Sequence, residues 1–265
     1  MNKLIAIEWL KLRRYRTFWV LAGLFLLLLP LWNYEISNGL IKIGGGGKGA
    51  INFLSTAYAF PGVWGNIGFW ASYFIWFIAI LVIIITTNEY TYRTNRQNVI
   101  DGWSRMQFFH GKVVMVVLLS LVATLYFFIL GAVFGYINAG SFHGVLSSMD
   151  QVLSFFVLCI DYLGFALLIA LWIKRSGLAI GLFLLYAMIM EKIIQELLNH
   201  YTSKPYGNFL PLQAGDELFP FPLTQMARAF LPSDGMSMSS YMIAAICWCV
   251  VYYFAGRLLL QRRDW

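Results

Sequence analysis

The chain has 265 residues, of which 60% are hydrophobic, 18% aromatic and 12% charged, with a mean hydropathy of +0.70. A water-soluble domain carries about 25% charged residues, so this composition excludes one and places the chain in a lipid bilayer. The formal net charge of +7 then needs a topological explanation, because nothing else in the sequence points to nucleic acid.

Residues 1–16 mix basic and apolar positions. On a helical projection Leu4, Ile5, Trp9, Leu12 and Tyr15 share an arc of roughly 140°, interrupted by Glu8. Arg13, Arg14 and Arg16 follow, and each attracts anionic headgroups by about 1 kcal/mol. The segment reads as a membrane-surface anchor and not a cleaved signal peptide. Its basic part is long, no small-x-small cleavage site follows, and the apolar stretch behind it can span.

A hydrocarbon core about 30 Å thick needs roughly 20 apolar residues at 1.5 Å rise each. Six segments reach that length: 17–36, 67–87, 112–137, 151–173, 177–198 and 241–260. The fifth is the least uniform, because its apolar run stops at Met190 and it spans only by continuing through Glu191 and Lys192. Unbroken runs such as LFLLLLPLW and FIWFIAILVIII exclude the alternation of β-barrel strands. The predicted fold is an all-α integral membrane protein, residues 1–265 forming a single transmembrane domain of six helices.

Between the first two spans, IGGGGKGA imitates a phosphate loop. Lys42 stands where G-x-x-x-x-G-K-[ST] needs its first glycine, and Gly49 replaces the Ser or Thr, so the stretch reads as a flexible loop. Residues 89–109, between spans two and three, contain no proline and predict one or two short surface helices. Tyr90, Tyr92, Val99, Ile100, Trp103, Met106 and Phe108 would rest on the interface, with Arg93, Arg96 and Arg105 in water. IKRSG, between spans four and five, reads as a tight turn. Residues 199–240 are rich in proline and aromatic residues and predict an outer cap, lying on the membrane face or dipping partly into it. A solvated loop would instead expose Phe209, Leu210, Leu218, Phe219, Phe221, Leu223, Phe230 and Leu231. No connection has room for a separate soluble domain, so a nucleotide-binding or catalytic domain is not expected within the chain.

Cytoplasmic flanks carry the excess of Lys and Arg. With both termini inside, the inner segments hold Lys3, Lys11, Arg13, Arg14, Arg16, Arg93, Arg96, Arg105, Lys112, Lys174, Arg175, Arg257, Arg262 and Arg263. Only Lys42, Lys48, Lys192, Lys204 and Arg228 fall outside. This asymmetry accounts for the net charge.

Few polar groups lie within the spans. Asp161 sits near the middle of the fourth, where a charge costs at least about 2.5–3.5 kcal/mol, so it should face protein or water and not lipid. Glu191, Lys192, Gln195 and Glu196 cluster near the outer end of the fifth span, with Glu191 and Gln195 on one helical face. Asp161, Glu191, Gln195 and Glu196 are candidates for lining a path. The alternatives are a buried polar contact for Asp161 and, for the others, interfacial positions that simply reach water. Cys159, Cys247 and Cys249 lie in apolar spans and read as small apolar residues. His110, His143 and His200 are scattered without metal-ligand spacing, and no G-x-S-x-G elbow occurs. No catalytic or metal-binding residues are expected.

NEYTYRTNRQNVIDGWSRMQFFHGKVV resembles the signature after the second span in permeases of the type 2 ABC exporter family. That signature reads E-[YF]-x-x-[GR]-T, then a short polar helix ending in S-R, then a lysine opening the third span. Glu89, Tyr90, Arg93, Thr94, Ser104, Arg105 and Lys112 occupy those positions, with Arg93 where many members have glycine. The six-span plan, the basic amphipathic start and the outer insertion extend the likeness over nearly the whole chain. The resemblance implies an elbow helix over residues 2–16 and a coupling helix within 89–109 that seats in a cytoplasmic ATPase. Glu89, Tyr90, Arg93, Thr94, Arg96, Ser104 and Arg105 are its coupling candidates. It further implies two paired permease subunits, identical or not, ATP and magnesium held by the ATPase partner with no cofactor in this chain, and residence in the bacterial cytoplasmic membrane. Two other readings stay open. One is an ATP-independent secondary transporter or channel, which would normally show inverted repeats and broken helices at the midplane. The other is a membrane anchor for an ATPase in a larger surface machine.

Overall fold

A computed structural model describes residues 12–13, 15–38, 58–94, 102, 104–222 and 236–262. Six helical spans among them are long and apolar enough to cross a membrane, the number predicted. They are α1 (Arg16–Ser37), α2 (Val63–Thr91), α3 (Arg105–Ala139), α4 (Met149–Ile173), a fifth span over Ser176–Thr202 and α8 (Met238–Arg262). The fifth is composite: α5 (Ser176–Leu185), one π-helical turn (Tyr186–Met190) and α6 (Glu191–Thr202). A 3₁₀ turn (Pro205–Phe209) and the short α7 (Gln213–Asp216) follow it. The surface helix expected over residues 2–16 lies almost wholly outside the described residues, as do Arg14 and Arg96. Arg13 and Arg16 are described and exposed.

α4 is the most enclosed span, packed against α2, α3, α5 and α8, while α1 leans on α2 at the periphery. Its composition explains this position. Ala166, Ala170, Leu158, Leu163 and Leu167 are all buried, and small residues among leucines let neighbouring helices approach closely. At the far end of the bundle the turn at Tyr58 ties α1 to α2. The buried Tyr58 hydroxyl donates to Asn33 Oδ1 at 2.8 Å, and burial holds this phenol above its ordinary pKa.

α2 and α3 both run further than their apolar stretches. α3 begins at Arg105, seven residues before the predicted third span, because Ser104 and Gln107 form a reciprocal capping box. The Ser104 hydroxyl accepts from the Gln107 N–H at 3.1 Å, and Gln107 Oε1 accepts from the Ser104 N–H at 2.8 Å. Ser104→Ala should therefore cost about 1 kcal/mol, read as a small fall in the melting temperature of the detergent-solubilised protein. An unchanged melting temperature would show that α3 does not depend on this cap.

The segment after the fifth span does not lie in solvent. Leu212, Ala214, Leu218 and Phe219 are buried. Phe219 wedges against Phe127 of α3 and Phe155 of α4, with ring centroids 6.1 Å from each. It also leaves no space for a side chain at Gly68 of α2. Phe209 packs on Tyr241 at 5.2 Å, and its carbonyl accepts from the Trp248 indole at 2.8 Å. The described part of the segment predicted as a cap is thus packed into one end of the bundle. Leu223, Phe230 and Leu231 lie outside the described residues.

Candidate functional site

Two polar assemblies stand out in an otherwise apolar bundle, one at the end that carries Arg93, Arg105 and Lys174, the other under the cap. At the basic end, α2 closes with Glu89 in its last turn and α3 carries Lys112 two turns from its start. Both side chains are buried and form an ion pair. Two flanks that would each read as a wet membrane edge are thereby joined inside the protein. Lys112, counted above among the inner-face positive charges, is fully buried.

Past Glu89 the chain turns through Tyr92 and Arg93, and Arg93 has φ of 57°. That is the left-handed region that glycine enters freely, and here an arginine occupies it. The Thr94 hydroxyl returns to the Glu89 carbonyl at 3.4 Å. The Tyr90 ring meets Phe108 edge-on at 6.3 Å, and Lys174 Nζ stands 5.0 Å from the Tyr90 centroid, so the α4–α5 turn joins the same cluster. Phe108, expected on the interface, is buried instead, because α3 already runs as a packed helix there. Arg93, Thr94, Ser104 and Arg105 are exposed, Tyr90 is half-buried and Glu89 is buried. The coupling candidates therefore divide into a bracing part and an outward-facing part.

Under the cap, Glu191 is buried, and its Oε1 accepts the backbone N–H groups of Leu212 at 2.7 Å and Gln213 at 3.1 Å. Lys192 Nζ donates to Gln213 Oε1 and, at 3.0 Å, to Asp216 Oδ2. Asp216 Oδ1 accepts from the Tyr162 hydroxyl of α4 at 2.6 Å. Gln195 and Asn199 both donate to Asn208 Oδ1 at 3.0 Å. Thus Glu191 and Gln195 do share a face, and that face grips the cap. Glu191 does not reach water, whereas Glu196 is exposed.

Asp161 faces protein, as its depth required. It lies twelve residues from either end of α4, about 18 Å at 1.5 Å per residue, and is fully buried. A Cβ placed on Gly215 would stand 3.0 Å from Asp161 Oδ2, so α7 descends to the middle of the bundle. The sequence did not disclose the partners Lys112, Gln213, Gly215 and Asp216. For Lys112 a signal existed, since the S-x-x-Q cap at Ser104 already moves it into the helix interior.

Among the described residues, an all-helical, six-span bundle with a buried ion pair and a polar network beneath an inserted cap defines a multi-pass membrane protein. Residues 4–190 match the family described as ABC-2 family transporter protein, and the chain belongs to that family, as a membrane permease component of an ABC transporter. The match runs from the N-terminal segment to the end of the π-helical turn. No curated protein matches the chain.

Proposed function

We propose that the chain is the membrane subunit of an ATP-driven exporter, working as one of two paired permeases with separate ATPase subunits that bind ATP and magnesium. Hydrolysis belongs to those partners, and this chain carries the path. The basic end is taken as cytoplasmic, with both termini on that side of a bacterial inner membrane, because Lys and Arg concentrate there. The observation that carries the coupling role is the joining of α2 and α3 by Glu89 and Lys112 on either side of the 92–104 connection. A push delivered to that connection reaches two spans at once instead of bending one. Arg93, Thr94, Ser104 and Arg105 are exposed on that side of the bundle, where an ATPase surface would meet them.

The test uses the exposed arginines and leaves the buried pair intact. Arg93→Gly keeps the left-handed turn while removing its charge, and relieves the roughly 1–2 kcal/mol that a side chain costs there. Arg105→Glu reverses a charge in the first turn of α3. The double variant should remain monodisperse yet lose most ATPase co-purification and transport-coupled hydrolysis. Undiminished co-purification with undiminished hydrolysis would remove this face as the docking surface.

A further inference from the structure

α1 contains a proline, and α3 answers it. Pro30 lies inside α1, and proline has no N–H for the carbonyl four residues back, here that of Leu26. The Tyr126 hydroxyl of α3 donates to that carbonyl instead, and its ring lies 5.7 Å from Phe25. The two helices are thus tied at this level. On the basic side of the tie, an apolar groove of about 460 Å³ runs between α1 and α3, over a floor of Ile78 and Leu81 of α2. Trp19, Leu26 and Val122 in its walls are exposed, so the groove opens toward lipid. Gly23 keeps one wall bare: a Cβ there would meet nothing within 4 Å. From Arg16 to Leu26 is ten residues, about 15 Å of helix. That is one leaflet's half of a hydrocarbon core about 30 Å thick.

The mouth of the groove is charged. Leu12 lines it, and the next residue, Arg13, is exposed. The Trp19 indole donates to the Arg13 carbonyl at 3.0 Å, which holds Arg13 at the rim. Arg16 is exposed as well, three residues before Trp19, a spacing that sets two side chains on one helical face with about 5–6 Å between their Cβ atoms. Two cations therefore stand beside an indole at the interfacial level where tryptophan gathers, and the way inward from them is apolar. Among the described residues, no acidic side chain lines the groove. A free inorganic anion would meet only the arginines and a neutral lipid only the groove. An anionic phospholipid meets both.

We propose that this groove seats one acyl chain of an anionic phospholipid from the leaflet at the basic end, its phosphate at Arg13 and Arg16 and its chain running past Gly23 to Tyr126. The seat needs neither an ATPase nor a second permease, so it stands or falls apart from the permease reading.

The full chain is reconstituted in phosphatidylcholine nanodiscs holding a small fraction of a phosphatidylglycerol probe with a diazirine at the end of one acyl chain. A parallel sample holds the phosphatidylcholine probe with the same chains. The phosphatidylglycerol probe should label peptides around residues 22–26 and 118–126 about tenfold more strongly, what two headgroup contacts are worth, and unlabelled phosphatidylglycerol should compete. Arg13→Gln with Arg16→Gln should remove that advantage and leave the phosphatidylcholine signal unchanged. Gly23→Leu should fill the groove and remove most labelling of these peptides by either probe. It should melt no lower than the parent, because leucine is the better helix former and enters open space. Equal labelling by the two probes overturns the proposal, as does undiminished labelling of the double arginine variant, since the groove would then touch lipid chains without selecting a headgroup. Undiminished labelling of Gly23→Leu would place the labelled chains outside the groove and overturn it too. So would a lower melting temperature for Gly23→Leu, which would mean that the space is taken by protein, either a second copy or another stretch of this chain.

Discussion

Lys112→Met should destabilise the protein by about 3–5 kcal/mol, because it leaves the Glu89 carboxylate buried at the α2–α3 junction without its cation. The expected result is a sharp fall in melting temperature and in the recovered monodisperse fraction. Adding Glu89→Gln to Lys112→Met should restore most of the loss, since exchanging a buried pair for uncharged side chains of similar volume is often close to neutral. The contrast between single and double variants separates the charge from the packing. If Lys112→Met melts with the parent, the two helix ends are not joined through this pair, and the load-sharing account of the 92–104 connection goes with it.

The second large effect is expected at Gly207. A Cβ there would overlap the Gln195 carbonyl and Cα, and backbone cannot swing aside as a side chain can. Gly207→Val should therefore lift the 3₁₀ turn from α6 at a cost of about 1–3 kcal/mol. The bonds from the Gly207 N–H to Asn199 Oδ1 at 2.7 Å and from Gln195 to Asn208 would go with it. Limited proteolysis reads this directly: cleavage within residues 203–222 should speed up by about fivefold or more, following the population of the opened form. A cleavage pattern identical to the parent's would mean that the cap is not held to the bundle through this turn.

The spans were legible because length and apolarity alone define them. Even the fifth, interrupted by Glu191 and Lys192, formed where the count required it. Its internal break was not legible, since a π turn depends on where Tyr186 and Glu191 must face and not on the propensity of YAMIM. Asp161 could be assigned to the protein interior from its depth. Its neighbour Gly215 could not, because nothing in a loop rich in proline and aromatic residues says which glycine meets which carboxyl. Glu89 and Lys112 illustrate the same limit. Each was visible as a charge at the edge of a span, but their pairing depends on how α2 and α3 rotate against each other. Arg93 shows the limit again, since an arginine where the likeness has glycine left the local turn open, and only the backbone shows it to be left-handed.

The shelter around Asp161 has a consequence for how the protein is made. Gly215 and Tyr252, which close over that carboxyl, are translated 54 and 91 residues after it. At about 5–20 residues per second, the delay is on the order of ten seconds. The fourth helix therefore reaches the bilayer with an acidic group near its middle before Tyr252 of its eventual covering has been synthesised. Biogenesis must therefore keep this helix beside the insertion machinery, or beside α2 and α3, until the last third of the chain arrives.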